Sequence, residues 1–276
     1  MKQSVFNIDF HQPQVMAILN VTPDSFYSGG RTFFTSEIEA RVKTIINDGA
    51  SIIDVGGYSS RPGAEHISVE EEWSRIERGI EAIRLISSSI AISIDTFRSE
   101  VIERAINKFG AIIINDITAG EYDPQIINLA AKHNMPYIAM HMRGTPQTMQ
   151  EHAKYDDVVM EIVQYFKSKT LKLRELGLSE IIIDPGFGFA KTLDQNYALM
   201  SGIECLCSLG YPVLSGVSRK SMIYKLLDCS PSEALAGTIA LNWESLRGGA
   251  SILRVHDVKE AVDVVKIFSK YKSQIL

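Results

Sequence analysis

Short β-branched runs recur along this chain, and each ends in a polar or glycine-rich turn. They read VMAIL (15–19), SIIDV (51–55), AISID (91–95), AIIIN (111–115), PYIAMH (136–141), EIIID (180–184), PVLSGV (212–217) and SILRV (251–255). Near-continuous apolar runs of this length suit strands covered on both faces. Between them the spacing changes to that of a helix. Residues 35–48 put Ile38, Val42, Ile45 and Ile46 on one face. Residues 68–86 do the same with Val69, Trp73, Ile76, Ile80 and Ile83. This second segment opens with SVEE, which predicts a capping box between Ser68 and Glu71. Residues 98–109, 124–133, 156–176, 193–209, 232–247 and 257–269 carry the same signature. Gly49, Gly110, Gly177, Gly210 and the pair Gly248 and Gly249 follow five of these segments, where helix-ending glycines belong.

Strand–helix alternation repeated eight times predicts an α/β protein, a single-domain (β/α)8 TIM barrel spanning residues 1–276. The rival is a doubly wound open sheet, and the number of strands favours closure. No sequence motif repeats, and no linker or low-complexity stretch interrupts the pattern. The turns after three strands are long: about 20–34, 56–67 and 142–155. They are rich in Gly, Pro, Ser and Thr, and they follow strand C-termini, where barrels build their sites.

Composition narrows the function. Hydrophobic residues make up 45% and charged residues 22%, ordinary for a soluble globular chain. The net charge of −5 and a pI near 5.7 disfavour a nucleic-acid partner, so any basic site is local. Three cysteines, Cys205, Cys207 and Cys229, fit a reducing compartment and read as packing residues. The first residues, MKQSVFNIDF, lack the apolar core of a signal peptide. No apolar run approaches the roughly 18–20 residues that span a bilayer. The expectation is a cytoplasmic protein with no membrane partner.

The strand ends supply the candidate chemistry. They present Asn20, Asp54, Asp95, Asn115 with Asp116, His141, Asp184, the run Ser218-Arg219-Lys220, and Arg254 with His256. An ionisable group directly after AISI or EIII sits at the barrel mouth. Arg219, Lys220, Arg254 and His256 come from the last two strands, which are neighbours in a barrel. That side is read as an anion site beside the N-terminus of the last helix, with Asp257 as its N-cap. Asn20, next in the ring, is placed to meet the anion or a Mg2+ bound to it. Asp95, Asn115 and Asp184 make a poor transition-metal site. They make a good edge for a flat heterocycle rich in N–H donors, with Lys220 reaching a ring acceptor. The implied ligand carries an aminated ring at one end and phosphate at the other. Phe26 and Phe189 are candidate ring walls. DPGFGFAK (184–191) is a tight turn and no dinucleotide fingerprint. His141 reads equally as structural or catalytic, and the methionines as packing.

These residues sit inside a longer resemblance. ILNVTPDSF (18–26), IDVGGYSSRPGA (53–64), SIDTF (93–97), INDI (114–117), MHMRGTPQTMQ (140–150), IDPGFGFAKTLDQN (183–196), SGVSRKSMI (215–223) and RVHDV (254–258) together resemble the dihydropteroate synthase family. The resemblance implies a (β/α)8 fold, a Mg2+ requirement and membership of a family that sulfonamides target. It implies condensation of 6-hydroxymethyl-7,8-dihydropterin diphosphate with p-aminobenzoate, giving dihydropteroate and diphosphate in folate biosynthesis. Carried over by motif, Asp95, Asn115, Asp184 and Lys220 resemble a pterin-binding set. Arg254 and His256 resemble a diphosphate site, and Asn20 a Mg2+ ligand. Ser60, Arg61 and Pro62 fall in the second loop. Phe26, Met140, Phe189, Ser218 and Ser221 are similar to residues around the substrate pockets. Tyr58 stands where the family usually has Glu, and Ser60 where it has Thr. A homodimer through the last helices is implied as well. Two other classes stay open: a related pterin-binding methyltransferase barrel, which needs no diphosphate grip, and a non-catalytic pterin binder. A Schiff-base aldolase using Lys220 is a third.

Overall fold

The computed structural model describes residues 8–10, 12–22, 31–59, 66–145 and 148–274. Eight strands are β1 (Gln14–Asn20), β2 (Ile52–Gly56), β3 (Ala91–Asp95), β4 (Ile113–Asp116), β5 (Tyr137–Met140), β6 (Ile181–Asp184), β7 (Leu214–Ser215) and β8 (Ile252–Val255). Between and after them run α1 (Arg31–Asn47), α2 (Val69–Ile86), α3 (Ser99–Phe109), α4 (Gln125–His133) and α5 (Val158–Glu175). The later helices are α6 (Leu193–Ser201), α7 (Ile203–Cys207), α8 (Ser221–Tyr224), α9 (Leu235–Arg247) and α10 (Val258–Lys272).

The strands form one sheet in the order β6-β5-β4-β3-β2-β1-β8-β7. Each paired neighbour is parallel, and a parallel bridge between Ile183 and Val213 joins the two ends. The sheet is therefore a closed (β/α)8 barrel, as the alternation predicted.

A two-residue side-chain period divides each strand between two environments. One face contributes Met16, Ile52, Ala91, Ile113, Ile138, Ile182, Leu214 and Ile252, one residue from each strand, to an apolar ring that fills the lower barrel. Ile8 and Phe10 pack against it. Burial of each large side chain is worth about 2 kcal/mol, so this ring is a main anchor of the closure. The other face joins the helices in an outer core that includes Leu19, Ile53, Ile94, Ile114, Ile183 and Leu253.

Four local expectations change. Residues 193–209 form two helices, because Gly202 packs on α5: a β-carbon there would lie 2.7 Å from both Val159 methyls. Residues 232–247 open with a 3₁₀ turn, Pro231–Glu233, before α9. The Ser68 cap is one-sided. Its hydroxyl accepts from Glu71 N at 3.1 Å, but the Glu71 carboxylate pairs with Arg75 at 2.8 Å rather than returning to the cap. Cys205 is exposed, so it is not a packing residue.

Candidate active site

Two residues beyond the apolar ring, the same strand faces present Ile18, Asp54, Ser93, Asn115, Met140, Asp184, Gly216 and Arg254. The chemistry changes abruptly within a single strand period. Asp54 is fully buried. A carboxylate with no exposure costs several kcal/mol unless it is paired. Its Oδ2 accepts from Arg254 Nε at 2.7 Å and from Asn115 Nδ2 at 3.0 Å. One further step up β3, Asp95 Oδ2 accepts from Arg254 Nη2 at 2.7 Å. Arg254 thus lies between two carboxylates. Burial opposes its charge, and Asp54 and Asp95 more than offset that, so its pKa is raised. The carboxyl of Asp95 is pushed upward by burial, against the pull of Arg254.

Lys220 reaches the same mouth from the turn after β7. Its Nζ donates to the Phe187 carbonyl at 2.5 Å and lies 4.9 Å from the centre of the Phe189 ring. Burial lowers its pKa to about 8, with Asp184 resisting. Asp184 is itself raised by burial, and Lys220 and the Gly186 N–H at 2.7 Å oppose that.

The turn from Asp184 to Lys191 is built to hold Lys220. Gly186 and Gly188 have φ of 70° and 81°, a left-handed geometry that favours glycine. A β-carbon on Gly186 would collide with the His141 carbonyl, and one on Gly188 would lie 3.2 Å from Lys220 Cδ. Lys191 staples the turn from behind: its buried Nζ donates to the carbonyls of Gly186 at 2.9 Å and Phe189 at 3.0 Å, with His141 Nδ1 at 3.4 Å. Burial lowers Lys191 to about 7. Asn196, also buried, accepts from Gly188 N at 2.7 Å.

On the β8 side, Ser218 spends its hydroxyl on His256. It accepts from His256 N at 3.1 Å and lies 3.1 Å from Nδ1. Burial, with Arg254 beside it, lowers the imidazole to about 4. The ring is therefore neutral near pH 7. Asn20 approaches from β1: a β-carbon on Gly56 would lie 3.3 Å from Asn20 Oδ1 and 3.8 Å from Asp95 Cβ, so the glycine lets both side chains stand at the rim. Above the mouth, Phe97, Ile117 and Met140 form an apolar cluster against which Tyr58, Met142 and Phe189 pack. Tyr58 meets the Phe97 ring edge-on at 5.2 Å, and the Arg98 guanidinium lies 5.4 Å from its centre.

The structure thus brings Asn20, Asp95, Asn115, Met140, Asp184, Lys220, Arg254 and His256 to one end of the barrel, with Phe189 beside Lys220. Ser221 is the first residue of α8, half-buried at the edge. Phe26, Ser60, Arg61 and Pro62 lie outside the described residues. Three sequence readings are corrected. Arg219 is no anion ligand: it pairs twice with Asp257, at 2.8 and 2.7 Å, and donates to the carbonyls of Pro231 and Ser232. Asp257 holds the N-cap position of α10 but caps nothing, because Arg219 occupies its carboxylate. Asp116 turns outward, accepting from Tyr137 Oη and Gly120 N at 2.7 Å each. His141 resolves to the structural side: it is buried behind the wall among Tyr155, Tyr165 and Phe166, and burial lowers its pKa to about 3. Sequence reasoning underused Asp54, whose strand-end position equals that of its neighbours. It missed Lys191 and Asn196 altogether, since a lysine in GFAK carries no periodic signal.

The profile of the pterin binding enzyme family matches residues 16–256. A dihydropteroate synthase of Escherichia coli (strain K12) is 44% identical over 263 residues, covering 95% of this chain and 92% of that protein. This chain belongs to the dihydropteroate synthase family. Solved family members superpose closely. The Xanthomonas albilineans enzyme with 4-aminobenzoic acid gives a TM-score of 0.88 at 35% identity, covering 96% of this chain and 95% of that one. The same enzyme in complex with 7,8-dihydropteroate gives 0.85 at 33% identity, with the same coverage. Among the described residues no helix is long and apolar enough to cross a membrane.

Proposed function

We propose that this chain, acting as one domain over 1–276, joins 6-hydroxymethyl-7,8-dihydropterin diphosphate to p-aminobenzoate, releasing diphosphate. The observation that carries this reading is the division of a single barrel mouth. Carboxylates and a carboxamide (Asp95, Asn115, Asp184) with Lys220 form one set, and Arg254, which meets the first set through Asp95 at 2.7 Å, forms the other with His256. The first set suits the N–H donors and acceptors of a pterin edge. The second suits a leaving diphosphate. Two of the five guanidinium N–H groups of Arg254 bond partners among the described residues, which leaves three for phosphate oxygens. The His256 ring, held by Ser218, stands beside Arg254. This second set also favours the synthase over a methyltransferase barrel.

Charge builds on the diphosphate as the CH2–O bond breaks, and Arg254 and His256 answer it with preset donors. The electron-rich ring spreads the positive charge left on the CH2 group, and buried Asp95 and Asp184 stabilise it. The arylamine is already nucleophilic, so no strong base is required. Mg2+ fits the donor set: a hard cation that keeps most of its waters needs few protein oxygens, and the Asn20 amide oxygen stands at the rim beside Asp95. No cluster of three acidic, histidine or cysteine residues is needed, and none is found among the described residues. When bound, Mg2+ would neutralise diphosphate charge.

We further propose a cytoplasmic homodimer. The free cysteines support the compartment. Exposed Ile267 and Tyr271 on α10, with Trp243 of α9 5.5 Å from the Tyr271 ring, support the interface. The test of function is titration of both substrates with Mg2+, followed by assay for dihydropteroate. Pterin binding without product would point to a non-catalytic binder. No pterin binding would sink the reading.

A further inference from the structure

Asp54 is the most deeply buried charge in the mouth, and nothing in its position lets it touch a ligand edge-on. It is fully shielded, whereas Asp95 above it keeps 23% of its side chain accessible. Its hydrogen bonding is unequal. Oδ2 takes two donors, Arg254 Nε and Asn115 Nδ2, which fills both lone pairs. Oδ1 has no partner among the described residues. The two donors come from β4 and β8, which are not neighbours in the ring. One carboxylate oxygen therefore joins groups across the barrel.

Each bond removes a specific freedom. An asparagine amide can sit in either of two orientations, and donation from Nδ2 to Asp54 fixes which one Asn115 adopts. Its Oδ1 and its second N–H are then turned to the mouth. A guanidinium held by Nε cannot rotate about its stem, so its outer N–H groups keep one direction. Only the charged carboxylate accepts from both donors through the same oxygen without offering a competing donor of its own.

We infer that Asp54 is a positioning residue that sets Asn115 at the ring end and Arg254 at the leaving-group end at once. It makes the two halves of the site one mechanical unit. The inference rests on the proposed synthase reading and goes beyond it, because Asp54 is given no contact with either substrate.

The test is a double-mutant cycle on the full chain between Asp54→Asn and Arg254→Lys. A lysine has no Nε–H fork to be aimed, so in that background Asp54 keeps only its hold on Asn115. Asp54→Asn alone is expected to lower kcat at least 30-fold. It should also weaken binding of inorganic diphosphate and of 6-hydroxymethylpterin, each measured separately by calorimetry. In the Arg254→Lys background the same change should weaken diphosphate binding less than threefold, while the loss of 6-hydroxymethylpterin binding, exerted through Asn115, remains. A general structural role gives the opposite pattern: losses that multiply, with a lower melting temperature. Losses of diphosphate binding that multiply, unchanged pterin binding in Asp54→Asn, or a kcat for Asp54→Asn within threefold of wild type would overturn the inference. If Asp54→Asn does not fold, Asp54→Ser, which keeps one oxygen acceptor, runs the same cycle with the same deciding outcomes. If wild type binds pterin but makes no product, the synthase reading fails by itself. The two binding constants then carry the cycle, and Asp54 is still judged.

Discussion

Two rings of side chains lie two residues apart inside this barrel and share the same strands. The lower ring, from Met16 to Ile252, is apolar throughout. The upper ring holds Asp54, Ser93, Asn115, Asp184 and Arg254. Backbone geometry does not distinguish them. The lower ring gains its free energy from leaving water, and any member can be traded for another of similar volume. The upper ring spends free energy on burying charge, and recovers it only through particular partners at particular distances. Stability and function are therefore stacked along one axis, and substitutions at the two levels should fail differently.

The largest separation is expected from Asp184→Asn. It should cost turnover more than 100-fold while leaving the melting temperature within a few degrees. Retention of activity within about tenfold, roughly 1.4 kcal/mol, would remove Asp184 from the pterin site. Lys191→Met should come next. It removes the staple behind the turn that seats Lys220, so kcat is expected to fall about tenfold or more, and Lys191→Arg should restore part of it. Equal losses for both variants would show that the cation does not position the turn. In the lower ring, Ile138→Ala should destabilise by about 2–4 kcal/mol in urea unfolding. Its kcat below the transition should stay within threefold. A larger kcat loss would mean the rings are not separable.

A pH profile sharpens the contrast at smaller amplitude. Lys220 has a pKa of about 8, well below the ordinary lysine value, because burial disfavours its charged form. The ammonium is present below that pH and is lost as pH rises through it. kcat/KM for the pterin diphosphate should therefore fall along a one-proton limb near pH 8. Lys220→Arg should move that limb upward, and an unmoved limb would assign it elsewhere. The smallest effect is expected from Tyr58→Glu. Tyr58 packs on Phe97 at the edge of the apolar cluster and lies outside both rings, so both KM values should change less than threefold. A larger change in KM for p-aminobenzoate alone would place that edge against the second substrate.

Arg219 and Lys220 show where legibility ended. They are adjacent in sequence and both follow the seventh strand. A chain reading treats them as one basic pair, yet Arg219 has φ of 54° and turns to Asp257 while Lys220 turns into the mouth. Nothing in a local window encodes a partner 38 residues away. Asp54 has the same history: its rank as a strand end was readable, but its two donors come from Asn115 and Arg254, 61 and 200 residues distant. The Gly202 break between α6 and α7 likewise depends on contact with Val159.

What the sequence determined by itself was everything that periodicity and strand position control. That covers eight strands with helices between them, closure of the barrel, and the end of the barrel where the acids, the amide and the cations emerge. These follow from local rules, since a two-residue alternation and a strand C-terminus mean the same thing wherever they occur. Only the tertiary structure decided which of those polar groups pair with one another, which face the mouth, and which lysine holds the turn from behind. Hydrogen bonds and ion pairs depend on distances of about 3 Å between atoms far apart along the chain, and such distances exist only once the barrel has closed.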